Sequence, residues 1–399
     1  MPIVTFLMLM NELIPLNGSR KGNIEIKLKG LGIFIFAIII LIIWTINSFV
    51  ENEILIQTAN VFQKSGTTRI YFSVFNNILL FFTTIIFVSL HFEQIDFEKF
   101  FKILLYLSLS LGLLRIMSHF LDFNIPLLSG AFDYGGEYGK YSKLKYGGTA
   151  FRLGGLSEVV IIGIPAIFSD YVFRKKINVF VLLLLLLFLF LSGGRTVMIG
   201  VFFSIIIFSF LFFPKNFVNL ILGGGLFLIV AAIILPESLL QGQTGRLTTV
   251  NSENLMGFDP GRALAWKFYF ETFLSNPIWG KGIASYTGFI YASLPKFEGF
   301  ARHLLFSGGH GSYISLLSIL GLGGIAYFLI MLIGGIILSY FRINQNLDAN
   351  KTAVAVFIFM ILIIKAFDFF TANNGLDIPI LFYCVGFIAS LTVLQNMDK

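Results

Sequence analysis

The chain runs to 399 residues, of which 57% are hydrophobic and 12% charged, with a mean hydropathy of +0.88 and a net charge of +7. Soluble domains carry about 25% charged residues, so the composition excludes a soluble enzyme or binding module and points to lipid as the main solvent. The excess of Lys and Arg fits basic cytoplasmic loops and gives no ground for a nucleic-acid partner, while the single cysteine, Cys384, excludes a disulfide framework and a thiolate metal site.

The first apolar stretch, residues 3–16, is short and holds Asn11 and Glu12. It reads as an extra span or an interfacial helix. It lacks a basic leading segment, so it does not read as a cleaved leader. Ten longer apolar runs follow, at 31–50, 72–90, 103–121, 156–173, 178–191, 196–213, 217–235, 311–339, 352–370 and 378–395. A span needs about 20 apolar residues, and lipid offers the backbone no hydrogen-bond partners, so each run must be helical. The expected fold is an all-α integral membrane protein of about 10–11 transmembrane helices, with residues 1–399 in one polytopic domain.

Charge sets the expected orientation. Arg20, Lys21, Lys27 and Lys29, then Arg174, Lys175 and Lys176, then Lys215, then Arg342 and Lys351 all fall on one side of a ten-span chain. That side is cytoplasmic by the positive-inside rule, and both termini join it. The other side receives 51–71, 122–155, 192–195, 236–310 and 371–377. The slightly acidic segment 91–102 runs against the pattern.

Several polar groups stand where lipid should not tolerate them. Glu51 and Glu53 read as a solvated span end, and Arg115 and His119, four apart on one helical face, as interface residues. The outer segment 122–155 carries Tyr134 and Tyr138 among glycines. Their rings suit pyranose faces, and Tyr is also enriched at membrane interfaces without any ligand. Arg152 and Glu158 stand at the top of a span, where an ionisable group is a functional candidate by default. Arg195, in Ser192-Gly193-Gly194-Arg195, is held close to the membrane by a very short turn. Its planar fork suits bidentate phosphate binding, and the alternative is a headgroup anchor. Lys365 and Asp368 read as a self-neutralising pair between helices.

The longest polar interruption, 236–310, holds Arg246, Arg262, Arg302, His303 and His310. Its segment Pro260–Phe270 has a helical pattern that puts Arg262 and Trp266 on one face. Asn276-Pro277-Ile278-Trp279-Gly280-Lys281-Gly282 then stops the helix. His310 leads into the next span, which contains Gly321-Leu322-Gly323-Gly324. No HExxH, P-loop or post-strand Gly-x-Gly-x-x-Gly occurs, so zinc catalysis and nucleotide chemistry are not expected.

The order of these features resembles the O-antigen polymerase/O-antigen ligase superfamily of multi-span bacterial proteins. The resemblance is carried by Arg152-Leu153-Gly154 to Glu158, by Arg195 opening a middle span, by Arg262 and Trp266 ahead of Asn276–Gly282, and by His310 to Gly324. Gly311 and Gly194 depart from the usual Asn and Ser at their positions. The two Arg-to-Gly spacings Arg152–Gly163 and Arg246–Gly257 fit a further family pattern.

The resemblance implies a GT-C-like glycosyltransferase of the bacterial cytoplasmic membrane. It would take an oligosaccharide from undecaprenyl diphosphate, without metal or other cofactor and with inversion. Arg152, Arg195, Arg246 and Arg262 are then the diphosphate ligands, and Trp266, Tyr134 and Tyr138 the glycan ligands. His310 is the first candidate for the general base, ahead of Glu158 and His303. Polymerase is the first reading, with ligation to lipid A-core as its alternative. A transporter or flippase is the reading from another class. The family also suggests a chain-length regulator as partner, besides membrane lipid.

Overall fold

The computed structural model describes residues 31–50, 74–120, 156–192, 194–214, 260–280, 311–345, 348–370 and 379–395. These residues form helices and turns, with no strand among them. In chain order the helices are α1 (Gly32–Val50), α2 (Asn76–His91), α3 (Phe97–Phe120), α4 (Leu156–Arg174), α5 (Val179–Ser192), α6 (Arg195–Phe212), α7 (Pro260–Ser275), α8 (Ser312–Asn344), α9 (Ala349–Asp368) and α10 (Pro379–Gln395). All except α7 coincide with an expected span. The runs at 3–16 and 217–235 lie outside the described residues. Five segments, 76–94, 97–117, 156–174, 312–344 and 349–368, are long and apolar enough to cross a membrane. The protein is an all-α integral membrane protein.

The helices gather into two compact units. One contains α1, α2, α7, α8, α9 as far as Leu362, and α10. The other contains α3 to α6 and Ile363–Asp368. In the first unit α1, α7 and α10 each pack on α8, and α2 packs on α10. In the second, α4 is central, touching α3, α5 and α6.

Helix faces follow their solvent. On α1, Phe34, Ala37, Ile38 and Leu41 are buried, while Ile33, Phe36, Ile39 and Ile43 face outward as lipid-facing residues should. Small residues let backbones approach, as expected where lipid removes the hydrophobic drive for association. A methyl group at Gly112 would stand 2.2 Å from the Phe188 ring, and one at Gly334 would stand 3.1 Å from the ring of Phe34. Buried hydroxyls bond back to their own helix, as Thr45 does to Leu41 O at 2.6 Å and Ser204 to Val201 O at 2.8 Å.

Two helices outrun their apolar runs because polar partners carry them further. α3 starts at Phe97 instead of near 103, with Phe97 and Phe101 buried. There Lys102 pairs with Glu98, and Arg174 Nε lies 3.2 Å from Asp170 Oδ1 and 3.7 Å from Glu98 Oε1. α8 continues past 339 to Asn344, where the buried Arg342 donates through Nη1 to Gln345 Oε1 at 2.7 Å.

Lys365 and Asp368 pair as expected, at 2.7 Å with side chains 12% and 14% exposed. Removing one partner of such a pair leaves an uncompensated charge. Asp368→Ala alone is therefore expected to cost about 3–5 kcal/mol. Replacing both, as Lys365→Met with Asp368→Leu, is expected to restore most of that. Thermal unfolding in detergent compares the two, and equal losses would contradict the pairing account.

Candidate functional site

The second unit supplies a pair of helix starts. α4 begins at Leu156 and carries Glu158 in its first turn, exposed, with Ser157 Oγ donating to Glu158 Oε2 at 2.9 Å. α5 ends at Ser192 and α6 begins at Arg195, so the turn between them is as short as the sequence suggests. Gly194 caps α6 in an extended conformation. Its N–H is donated to Ser192 Oγ at 3.2 Å, and its carbonyl accepts the first helical hydrogen bond from Met198 N at 2.9 Å. A methyl group on Gly194 would stand 3.8 Å from Ser157 Cβ. The N-termini of α4 and α6 therefore lie side by side. Each is the positive end of a helix dipole. Glu158 and Arg195 belong to these first turns, so the chain concentrates anion-binding backbone where it also places Arg195.

The first unit holds further candidate residues. α7 forms over Pro260–Ser275, with Pro at its first position, where the missing N–H is harmless. Arg262 and Trp266 are one turn apart on it. Tyr269 and Thr272 face inward, both under 9% exposed. The helix stops as the sequence predicts, at Asn276-Pro277. A methyl group on Gly311 would stand 3.3 Å from Trp266 Nε1. Gly311 follows His310 directly and caps α8, and Ser312 N donates to Phe369 O at 2.8 Å. Trp266 thus stands at Gly311, where α8 starts.

The turn after α7 is locked into α8. Gly280 has φ +67° and Gly321 has φ +59°, values that favour glycine. At Gly321 the backbone of α8 leaves the helical region. Leu322 N then bonds to Pro277 O at 2.9 Å instead of to its own helix. Gly280 N closes the turn on Asn276 O at 2.9 Å. Trp44, on α1, donates through Nε1 to Ile278 O at 3.0 Å and lies 4.7 Å from the ring of Trp279. It also covers Gly323, where a methyl group would stand 2.0 Å from the indole.

Sequence reasoning singled out both glycine motifs but not their contact, and it did not single out Trp44. An indole donor near the end of an apolar run was the available signal. Arg152, Tyr134, Tyr138, Arg246, His303 and His310 lie outside the described residues, and so do the side chains of Arg195 and Arg262. Gly163, which closes the Arg152–Gly163 spacing, is a packing position, since a methyl group there would stand 2.7 Å from Leu185 Cδ2. No cluster of three or more His, Cys, Asp or Glu occurs among the described residues.

Residues 180–329 match the family model described as O-antigen ligase. This stretch covers α5, α6, α7 and the part of α8 that includes Gly321. The match supports the O-antigen polymerase and ligase superfamily, whose members are glycosyltransferase-like enzymes. No curated protein matches the chain.

Proposed function

We propose that this chain, whose residues 180–329 match the O-antigen ligase family model, belongs to the O-antigen polymerase and ligase superfamily and is an O-antigen polymerase of the bacterial cytoplasmic membrane. It moves a glycan from undecaprenyl diphosphate to the non-reducing end of another lipid-linked repeat unit on the outer face of the cytoplasmic membrane. The observation that carries this reading is the pairing of the α4 and α6 N-termini at Ser157 and Gly194, with Arg195 opening α6.

The bond that breaks joins the anomeric carbon to a diphosphate oxygen, so negative charge grows on the leaving group. Fixed N–H groups and guanidinium groups in a water-poor site stabilise such charge without reorganising. Arg152, Arg195, Arg246 and Arg262 are the guanidinium groups assigned to it, which leaves the charge to the protein's own cations. Bidentate contacts also orient the anomeric carbon. The acceptor hydroxyl attacks that carbon and gives up its proton to a base, with His310 first and Glu158 and His303 behind it. One direct displacement inverts the anomeric centre. Trp266, beside Gly311, is assigned to the sugar rings together with Tyr134 and Tyr138. A chain-length regulator is the protein partner this reading calls for.

Ligation to lipid A-core uses the same donor chemistry and differs only in acceptor. The two separate in cells lacking this protein. Lipid A-core bearing a single repeat unit is expected, and marks a polymerase. Bare lipid A-core, with long glycans accumulating on undecaprenyl diphosphate, would mark a ligase. Unchanged glycans with lost solute uptake would mark a transporter.

A further inference from the structure

α7 descends along α8. Trp266 lies against Gly311 and Pro277 bonds to Leu322, so both chains advance eleven residues between the two contacts and run in the same direction. The turn at 277–280 therefore sits well inside α8, nine residues past its first residue, Ser312. α8 has 33 residues. At 1.5 Å per residue that is about 50 Å, longer than a hydrocarbon core of about 30 Å. The stretch from Gly321 to the buried Arg342 rises about 32 Å and matches the core by itself. The turn and the Trp44–Trp279 pair then fall at the membrane boundary, where Trp is enriched.

α7 has one face on the protein and another uncovered. Phe270, Leu274 and Ile278, four residues apart, are 47%, 59% and 57% exposed. Trp279 at 38% and Leu322 at 53% extend the same apolar surface onto α8, whose outward residues face lipid. Lys267 and Glu271, 3.9 Å apart, are well exposed on the same outward side, toward the Pro260 end of the helix. An apolar surface that starts at an aromatic boundary and is continuous with lipid-facing span surface, with its charged groups toward the Pro260 end, suits a helix whose lower part enters the leaflet.

We infer that α7 and its turn are a membrane-surface element, with Phe270, Leu274 and Ile278 immersed in the bilayer leaflet at the Ser312 end of α8. Ile278 lies deepest, at the edge of the hydrocarbon, and Phe270 lies among the headgroups. The inference stands whatever reaction the protein performs.

Cys384 is the single cysteine and is buried. A Cys384→Ala background thus accepts single cysteines at Lys267, Phe270, Glu271, Leu274 and Ile278 for spin labelling in vesicles of phosphatidylethanolamine and phosphatidylglycerol. Collision rates with oxygen and with a water-soluble nickel chelate report depth. The oxygen-to-nickel ratio is expected to rise stepwise from 270 to 274 to 278 and to stay at its aqueous value at 267 and 271. Aqueous ratios at all five positions would overturn the inference. So would labels at 270, 274 and 278 that neither reagent reaches, because protein would then cover them. If a labelled variant fails to fold, tryptophan fluorescence decides. Trp44, Trp266 and Trp279 are the three tryptophans of the chain. In a Trp266→Phe protein, lipids brominated near the headgroup end of the acyl chain are expected to quench the remaining pair strongly. Absence of quenching would overturn the inference.

Discussion

Arg195→Ala and Arg262→Ala, at normal abundance in the membrane, are each expected to slow glycan transfer by about 10²–10³-fold, the loss seen when one preorganised donor to a developing oxyanion is removed. The proposed leaving group is a lipid diphosphate, and its charge in the transition state exceeds that in the bound donor. A guanidinium aimed at it therefore acts on rate more than on binding. Arg195 opens α6 directly beside the start of α4, so its loss subtracts one cation from a pair of helix N-termini that remain. Arg195→Lys separates charge from geometry. A lysine restores a positive charge but not the two-pronged contact, so partial recovery is expected. Transfer by membranes from cells expressing each variant measures this, using a lipid-linked repeat unit as both donor and acceptor. A normal rate for Arg195→Ala would remove that residue from the diphosphate contact, and a normal rate for Arg262→Ala would do the same for α7.

The two arginines differ in what surrounds them. The Arg195 backbone opens α6 after a very short turn, beside the start of α4. Arg262 stands in the first turn of a helix held in place from its far end, through Pro277, Ile278 and Gly280. A change in that anchorage is thus expected to act on Arg262 and Trp266 together and to leave Arg195 untouched.

The spans were legible in the sequence because lipid leaves a helical apolar run no other solution. Their ends were less legible. The start of α3 and the end of α8 are set by Glu98 with Lys102 and Arg174, and by Arg342 with Gln345, contacts that no hydropathy window registers. α7 was readable from Pro260 and from the spacing of Arg262 and Trp266, and its stop from Asn276-Pro277. What could not be read is that Gly280 meets Gly321, since forty-one residues separate them and α8 offers several other glycines as candidates. Gly163 shows the converse. Its spacing from Arg152 fits a family pattern but carries little weight in so glycine-rich a chain, and its place is explained by the side chains of Leu185 and Ser108. Glycine spacing carries little information in a chain with 39 glycines, many of which serve helix contact.

Gly280→Ala and Gly321→Ala are both expected to be strongly destabilising. Gly280 has φ +67° and Gly321 φ +59°. An L-residue in the left-handed region costs roughly 1–2 kcal/mol before any contact is considered. The contacts are backbone and cannot turn aside. A methyl group at 280 would stand 2.4 Å from Ile319 O, and one at 321 would stand 2.5 Å from both Ile278 O and Pro277 O. Overpacking of this kind adds about 1–3 kcal/mol, for a total of about 2–5 kcal/mol per substitution. Gly32→Ala is the matched control, since nothing lies within 4 Å of the added methyl, and it is expected to stay within about 0.5 kcal/mol of the parent. Thermal unfolding of purified protein in detergent reads all three. The double variant decides whether the two glycines form one joint. The methyl at 280 would also stand 2.6 Å from Gly321 N, so both substitutions open the same contact. Once the first has pushed the turn off α8, the second meets less resistance, and the double loss is expected to fall well short of the sum. Fully additive losses would mean that the turn and the kink are strained separately, and that α7 is held to α8 by Trp44 and Trp266 instead.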